Sequence, residues 1–203
     1  MGGGTPLKDP GESAKDRIYR SAARLYALHG YDGTSIREIA EAAGVTKPLV
    51  HYHFESKERL FSSLLDEALG RCGAEASEIA SRNAPAAERL RELVRALASE
   101  ARRAPEVTCF AQEALTMPKQ LPFSFDYKAR GRSFFEIFVG VVEDGRRRGE
   151  FRDVDPRHIA AMLIATVGFF AVAVLSGELE EVPGDLGDFL FDVVMRGMEV
   201  RAQ

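Results

Sequence analysis

The stretch "GVTKPLVHYHFESKERLF", residues 44–61, sets His51 and His53 around Tyr52 and places Lys47 and Lys57 on either side. Two histidines this close raise the prospect of a metal site or of proton transfer. Helical geometry argues against a shared ion. Consecutive helical residues are rotated by roughly 100°, so side chains two positions apart face nearly opposite ways. His29 and His158 lie in other segments, and no H-E-x-x-H or C-x-x-C spacing occurs. Cys72 and Cys109 have no partner motif, which fits a reducing compartment and not a disulfide scaffold or zinc ribbon. No G-x-S-x-G elbow and no phosphate-cradling glycine loop is present. The expectation is a chain without a metal, a cofactor or catalytic residues.

The bulk numbers are those of a soluble globular protein: 203 residues, 45% hydrophobic and 29% charged. The segment "MGGGTPLKDPGESAKD" lacks an apolar h-region and reads as a flexible tail over residues 1–14, not a signal peptide. Net charge is −4, unlike the basic surface of a non-specific nucleic-acid binder. Its distribution is uneven. Residues 11–62 hold eight Lys/Arg against seven Asp/Glu, whereas residues 63–203 hold eighteen against twenty-three. A near-neutral head with a few placed cations on an acidic body suits a selective contact.

Strand alternation is scarce and helical spacing frequent, so the fold class is all-α. Ile18, Ala22, Leu25 and Tyr26 mark a first helix that Gly30 ends as a left-handed cap. Ser35 and Glu38 form a capping box, and Ile36, Ile39, Ala40 and Ala43 make one apolar stripe that Gly44 stops. Thr46 caps a third helix with Pro48 in its first turn, and Val50 and Phe54 point inward with Val45. Ser56 caps a fourth, longer helix with Glu58 near its start. Two short helices around a tight turn, with a support helix on either side, describe a helix-turn-helix over residues 15–60.

With Val50 and Phe54 turned to the core, Lys47, Pro48, Leu49 and His51 are left outward. Lysine donates to guanine O6/N7, and Pro48 or Leu49 can meet a thymine methyl. Tyr52, His53 and Lys57 have the length to reach phosphate oxygens. The competing reading packs Tyr52 and His53 against the first helix and leaves Lys57, Lys15 and Arg37 as solvated surface.

These residues resemble the DNA-binding domain of the TetR family of bacterial transcriptional regulators. The resemblance covers about residues 17–65 and runs through "AARLYALHGYDGTSIREIAEAAGV" and "TKPLVHYHFESKERLF". It implies backbone contacts at Thr34, Thr46, Tyr52, His53 and Lys57, and base contacts at Lys47, Pro48 and His51 with Leu49 beside them. His51 departs from the pattern, standing where many relatives carry tyrosine.

Residues 61–203 then form a helical ligand-binding and dimerisation domain. Its helices are punctuated at Pro85, "RAPE", "MPKQLP", "RRRGEFRDVDP" and "GELEEVPGD". The resemblance implies that the last two helices pair with those of a second copy in a four-helix bundle, through Met162, Phe169, Phe170, Phe189, Leu190, Val193 and Val194. The run at residues 159–175 also has nearly the length of a membrane span, but a buried helix fits it better. Phe110, Glu113, Met117, Tyr127, Phe134 and Phe138, with Gln112, read either as the lining of an apolar small-molecule pocket or as ordinary core. "MPKQLP" reads as a flap beside such a pocket.

The resulting expectation is a cytoplasmic repressor. Its partners are double-stranded operator DNA, a small-molecule effector and itself as a homodimer. The rival expectation is an all-helical carrier or enzyme retaining the head as a vestige.

Overall fold

Hydroxyl caps set the helix starts in the head of the computed structural model, which describes residues 13–116 and 127–198. Ser13 and Asp16 form a capping box at α1 (Ala14–His29), and Ser35 and Glu38 form another at α2 (Ile36–Ala43). In the second box the Ser35 amide donates to Glu38 Oε2 at 2.7 Å, and the Glu38 amide donates to Ser35 Oγ at 3.2 Å. Thr46 caps α3 (Lys47–Phe54), with proline in the first turn. The Ser56 hydroxyl accepts from the Arg59 amide at 3.2 Å, at the start of α4 (Lys57–Ser81). Each contact satisfies an amide that the helix itself leaves without a partner.

Gly44 takes φ 61°, ψ 39°, the left-handed conformation that ends α2 and starts the turn. Gly30 behaves differently from expectation. Its φ is 71° but its ψ is 174°, so the chain leaves α1 extended instead of curling back on it. The Arg17 side chain reaches across and donates from Nε to the Ala43 carbonyl at 3.2 Å, placing a cation on the negative end of α2. Ile18, Ala22, Tyr26, Ile39, Val50, Phe54, Leu60 and Phe61 close the core of this head.

The chain divides into two compact units, Met1–Leu64 and Leu65–Gln203, and the division falls inside α4. The second unit continues with α5 (Ala86–Arg103), α6 (Pro105–Thr116), α7 (Tyr127–Arg147), α8 (Pro156–Ser176) and α9 (Leu186–Met198). Helix α5 is amphipathic and takes the centre, packed against α6, α7, α8 and α9. All nine elements among the described residues are helices. "MPKQLP" lies outside the described residues.

One charge is carried into this second core. Arg89, 7% exposed, is paired with Asp144 of α7 and donates to the Ala80 carbonyl at 2.9 Å. Arg147 and Arg148 also approach Asp144, at 3.2 and 3.0 Å. The hydrogen bond from Arg89 holds the Asp144 carboxyl below the usual aspartate range. Because the folded-state pKa is depressed, the pair stabilises fully above the ordinary aspartate value. Its contribution fades as pH falls below about 4.

Asp144→Asn should therefore cost about 2–3 kcal/mol at neutral pH, since it leaves a buried guanidinium without its counter-charge. Urea denaturation of both proteins across pH should show the gap narrowing in acid. A gap that is constant with pH would mean the carboxylate charge is immaterial.

Candidate nucleic-acid interface and ligand cavity

Helix α3 has two sides. Val50 and Phe54 are buried, and the Tyr19 ring packs on Phe54 with centroids 5.0 Å apart. Lys47, Pro48 and His51 are exposed, with His51 one helical turn on from the other two. Tyr52 is 81% exposed and stands edge-on to the exposed His53 ring. Thr46 is exposed and Leu49 half-buried.

Two residues differ from expectation. Thr34 is buried, and its hydroxyl lies 2.9 Å from the Gly30 carbonyl and 3.1 Å from that of Leu25, donating to one of them. Its side chain thus closes the α1–α2 connection from inside. Lys57 is half-buried, with Nζ 4.1 Å from the centroid of the Tyr31 ring. The Tyr31 hydroxyl donates to Glu58 Oε1 at 2.9 Å, and burial pushes its phenol pKa upward. Glu58 in turn is held below the usual carboxylate range by its own backbone amide, then by Ser56 and Tyr31. Arg37 is solvated, as its position implied, and pairs with Glu41 along α2.

Helix α3 ends in an unusual turn. Glu55 has φ 58°, ψ −52°, the only positive φ at a non-glycine residue among those described. Its amide donates to the His51 carbonyl at 2.8 Å, and its own carbonyl lies 3.0 Å from His51 Nδ1. Nothing in the sequence pattern signals this side-chain contact.

The second unit holds a half-open cavity of about 280 Å³ with apolar walls that include Leu69, Leu97, Phe134, Phe135 and Ile164. Its polar lining is Cys72, Glu100, Thr108 and Gln112. Glu100 accepts from Arg71 at 2.9 Å and from Arg103 at 2.6 Å, so its charge is countered from both sides. Burial, followed by Glu100, pushes the Cys72 thiol up to about 11, which keeps it protonated. Gly168 admits Gln112 against α8: a methyl group there would lie 1.3 Å from Gln112 Oε1.

Of the aromatic set, Phe134 lines this cavity, as does its neighbour Phe135. Phe110 is buried outside it, and Phe138 is a core residue beside an adjoining void of about 20 Å³ that shares Cys72, Leu97, Glu100 and Phe134 with the cavity. The side chains of Glu113, Met117 and Tyr127 fall outside the described residues. The sequence reading missed Cys72, Leu97, Glu100 and Thr108, whose positions carry no shared spacing. Gly168, alone inside an apolar run, was a legible sign of close approach. Among the described residues no group of three or more His, Cys, Asp or Glu is placed to hold a metal.

On α8 and α9, Met162, Phe169, Phe189 and Val193 are exposed, joined by Val172. Leu190 and Val194, expected on a dimer face, are buried in the chain's own core, and Phe170 is half-buried against it. Helix α8 is long and apolar enough to cross a membrane, with a mean hydropathy of 2.4 over its most apolar window.

A capped helix-turn-helix head on an all-helical body defines a DNA-binding transcriptional regulator. Residues 18–64 match the family model for bacterial regulatory proteins of the tetR family, and residues 83–171 match the tetracyclin repressor-like C-terminal domain. The transcriptional repressor KstR2 of Mycobacterium tuberculosis is 31% identical over 148 residues, 70% of this chain and 73% of its own. The repressor NicS of Pseudomonas putida is 25% identical over 197 residues, 92% and 93% of the two chains. The chain belongs to the TetR family. The solved ketosteroid transcriptional regulator KstR2 of Mycobacterium tuberculosis has a TM-score of 0.77 at 25% identity, covering 94% of this chain and 97% of that one. FadR from Bacillus subtilis, solved in complex with stearoyl-CoA, shares the fold with a TM-score of 0.65 at 19% identity over 89% and 97%.

The two sides of α3 should respond differently to truncation. Phe54→Ala should cost about 3–4 kcal/mol, whereas Tyr52→Ala should stay within about 0.5 kcal/mol of wild type. Chemical denaturation followed by a probe in the head distinguishes them. Equal costs would mean that α3 is not anchored through Phe54.

Proposed function

We propose that the chain is a cytoplasmic repressor that binds a palindromic operator as a homodimer and is released by a small, largely apolar ligand. The observation that carries this reading is the outward Lys47/Pro48/His51 face of α3, backed by the buried Val50 and Phe54. In this reading Lys47, Pro48 and His51, with Leu49 beside them, meet base edges. Thr46, Tyr52, His53 and Lys57 meet the phosphate backbone, with Lys57 leaving or sharing the Tyr31 ring. Thr34 serves through the loop it closes.

The dimer reading rests on exposed residues at heptad-like spacing along α8, with Met162, Phe169 and Val172 among them, and on Phe189 and Val193 of α9. A second copy covering these side chains explains an α8 that is apolar on more faces than its own subunit covers. Two-fold symmetry then offers two α3 helices to half-sites roughly 34–36 Å apart.

The ligand reading rests on the cavity. Its walls are apolar and its carboxylate is already countered by two arginines, which favours an uncharged ligand with a hydrogen-bonding group near Thr108 or Gln112. Similarity to a ketosteroid transcriptional regulator over most of the chain supports an apolar ligand of that kind. Release follows if the ligand binds more tightly to the dimer arrangement that mis-spaces the heads.

Fluorescence anisotropy with the DNA upstream of the chain's own coding region tests the reading. Binding should be selective and salt-sensitive; Lys57→Ala should weaken all DNAs alike, and Lys47→Ala should relax preference at particular base pairs. An apolar compound that raises the thermal midpoint should lower operator affinity in the same titration. Stabilisation with no effect on DNA would favour the carrier reading.

Phe169→Asp should give a folded monomer in sedimentation with weakened operator binding. A Phe169→Asp protein that remains dimeric would place the interface elsewhere.

A further inference from the structure

We propose that His51 reads an exocyclic amino group in the major groove, adenine N6 or cytosine N4, through an Nε2 lone pair fixed by the turn after α3. The inference rests on α3 being the reading helix.

The fixing contact is the one to Glu55. A backbone carbonyl oxygen only accepts, so His51 Nδ1, 3.0 Å from the Glu55 carbonyl, carries the ring proton. A neutral imidazole holds one such proton, and Nε2 is left as an acceptor. The arrangement is closed from the other side, since the Glu55 amide donates to the His51 carbonyl at 2.8 Å. Residue 55, at φ 58° and ψ −52°, aims its carbonyl back at the ring. His51 is therefore both the side-chain cap of this turn and an outward acceptor of set direction.

That polarity selects a partner. Phosphate oxygens, guanine O6 and N7, thymine O4 and adenine N7 all present lone pairs, and two lone pairs repel. In the major groove the amino groups of adenine and cytosine are the available donors. Lys47, one turn earlier on the same exposed face, has the opposite preference, because an ammonium only donates. The α3 surface thus carries a donor and an acceptor side by side, which distinguishes base pairs that either group alone would confuse.

Two measurements test this. In the free full-length protein, long-range ¹H–¹⁵N NMR correlations of the His51 ring should show Nδ1 protonated and Nε2 bare. The reverse tautomer overturns the proposal whatever the DNA result. On an operator bound selectively in the assay above, each adenine is replaced in turn by purine and each cytosine by pyrimidin-2-one, which removes only the amino group. Wild type should lose roughly three- to tenfold affinity at one symmetry-related pair of positions. His51→Asn keeps an N–H for the Glu55 carbonyl, but its one acceptor, Oδ1, lies well short of the position that Nε2 held. It should fold normally and bind the substituted and unsubstituted DNAs equally. The proposal falls if no amino deletion couples to residue 51, or if His51→Asn weakens every DNA alike with a shallower salt dependence, the mark of a phosphate contact. Absence of any selective site would instead count against the operator reading.

Discussion

Val50 and Phe54 lie buried on one side of an eight-residue helix that is too short to persist by its own hydrogen bonds. Whatever α3 presents outward depends on that burial. The two anchors are four residues apart, so they fix both the helix and its rotation, which leaves Lys47, Pro48 and His51 exposed around them. Thr46 and the His51–Glu55 ring then secure the two ends. The Gly44 turn and the Arg17 contact to Ala43 hold the preceding helix in register. An exposed surface of a few side chains is thus the visible side of a small core.

The second unit applies the same principle with less symmetry. Helix α5 packs against each of α6 to α9, and Arg89 threads a charge through the core that Asp144 must answer. A buried pair of this kind adds little net stability but is costly to break, so it ties α5 to α7 more by penalty than by attraction. The cavity lies where packing is relieved. Gly168 lets a glutamine lie against α8, and neighbouring small residues, Ala68, Ala111, Ala161 and Ala165, leave space between the bulkier walls.

The head was legible in the sequence because its determinants are local. A hydroxyl three residues before a glutamate, a glycine after an apolar stripe, and anchors at i and i+4 all fall within one helical turn. The Glu55 turn was not legible, since a histidine ring closing on a carbonyl four residues on has no compositional signature. Gly30 shows the same limit: glycine signals a positive φ but does not determine ψ. In the body, Phe189 and Leu190 are adjacent and both apolar, yet one is exposed and the other buried. A rotation of roughly 100° decides between them, and only tertiary packing sets its origin. The cavity draws its walls from helices that begin as far apart as residues 57 and 156, so composition could flag aromatic residues but could not separate Phe134 from Phe138.

The cavity also bounds how a ligand can act. A hundredfold loss of DNA affinity requires about 2.8 kcal/mol of differential binding between two arrangements. At about 25 cal/mol per Å², that corresponds to roughly 110 Å² of apolar surface covered in one arrangement and uncovered in the other. Two or three side chains changing their contact with the ligand are enough. With Glu100 already answered by Arg71 and Arg103, this difference does not have to come from a new charge contact at that carboxylate. It can come from shape alone. A cavity of this kind discriminates weakly between apolar ligands of equal volume and strongly against buried, unpaired charge, because burying such a charge costs more than the wall contacts can return.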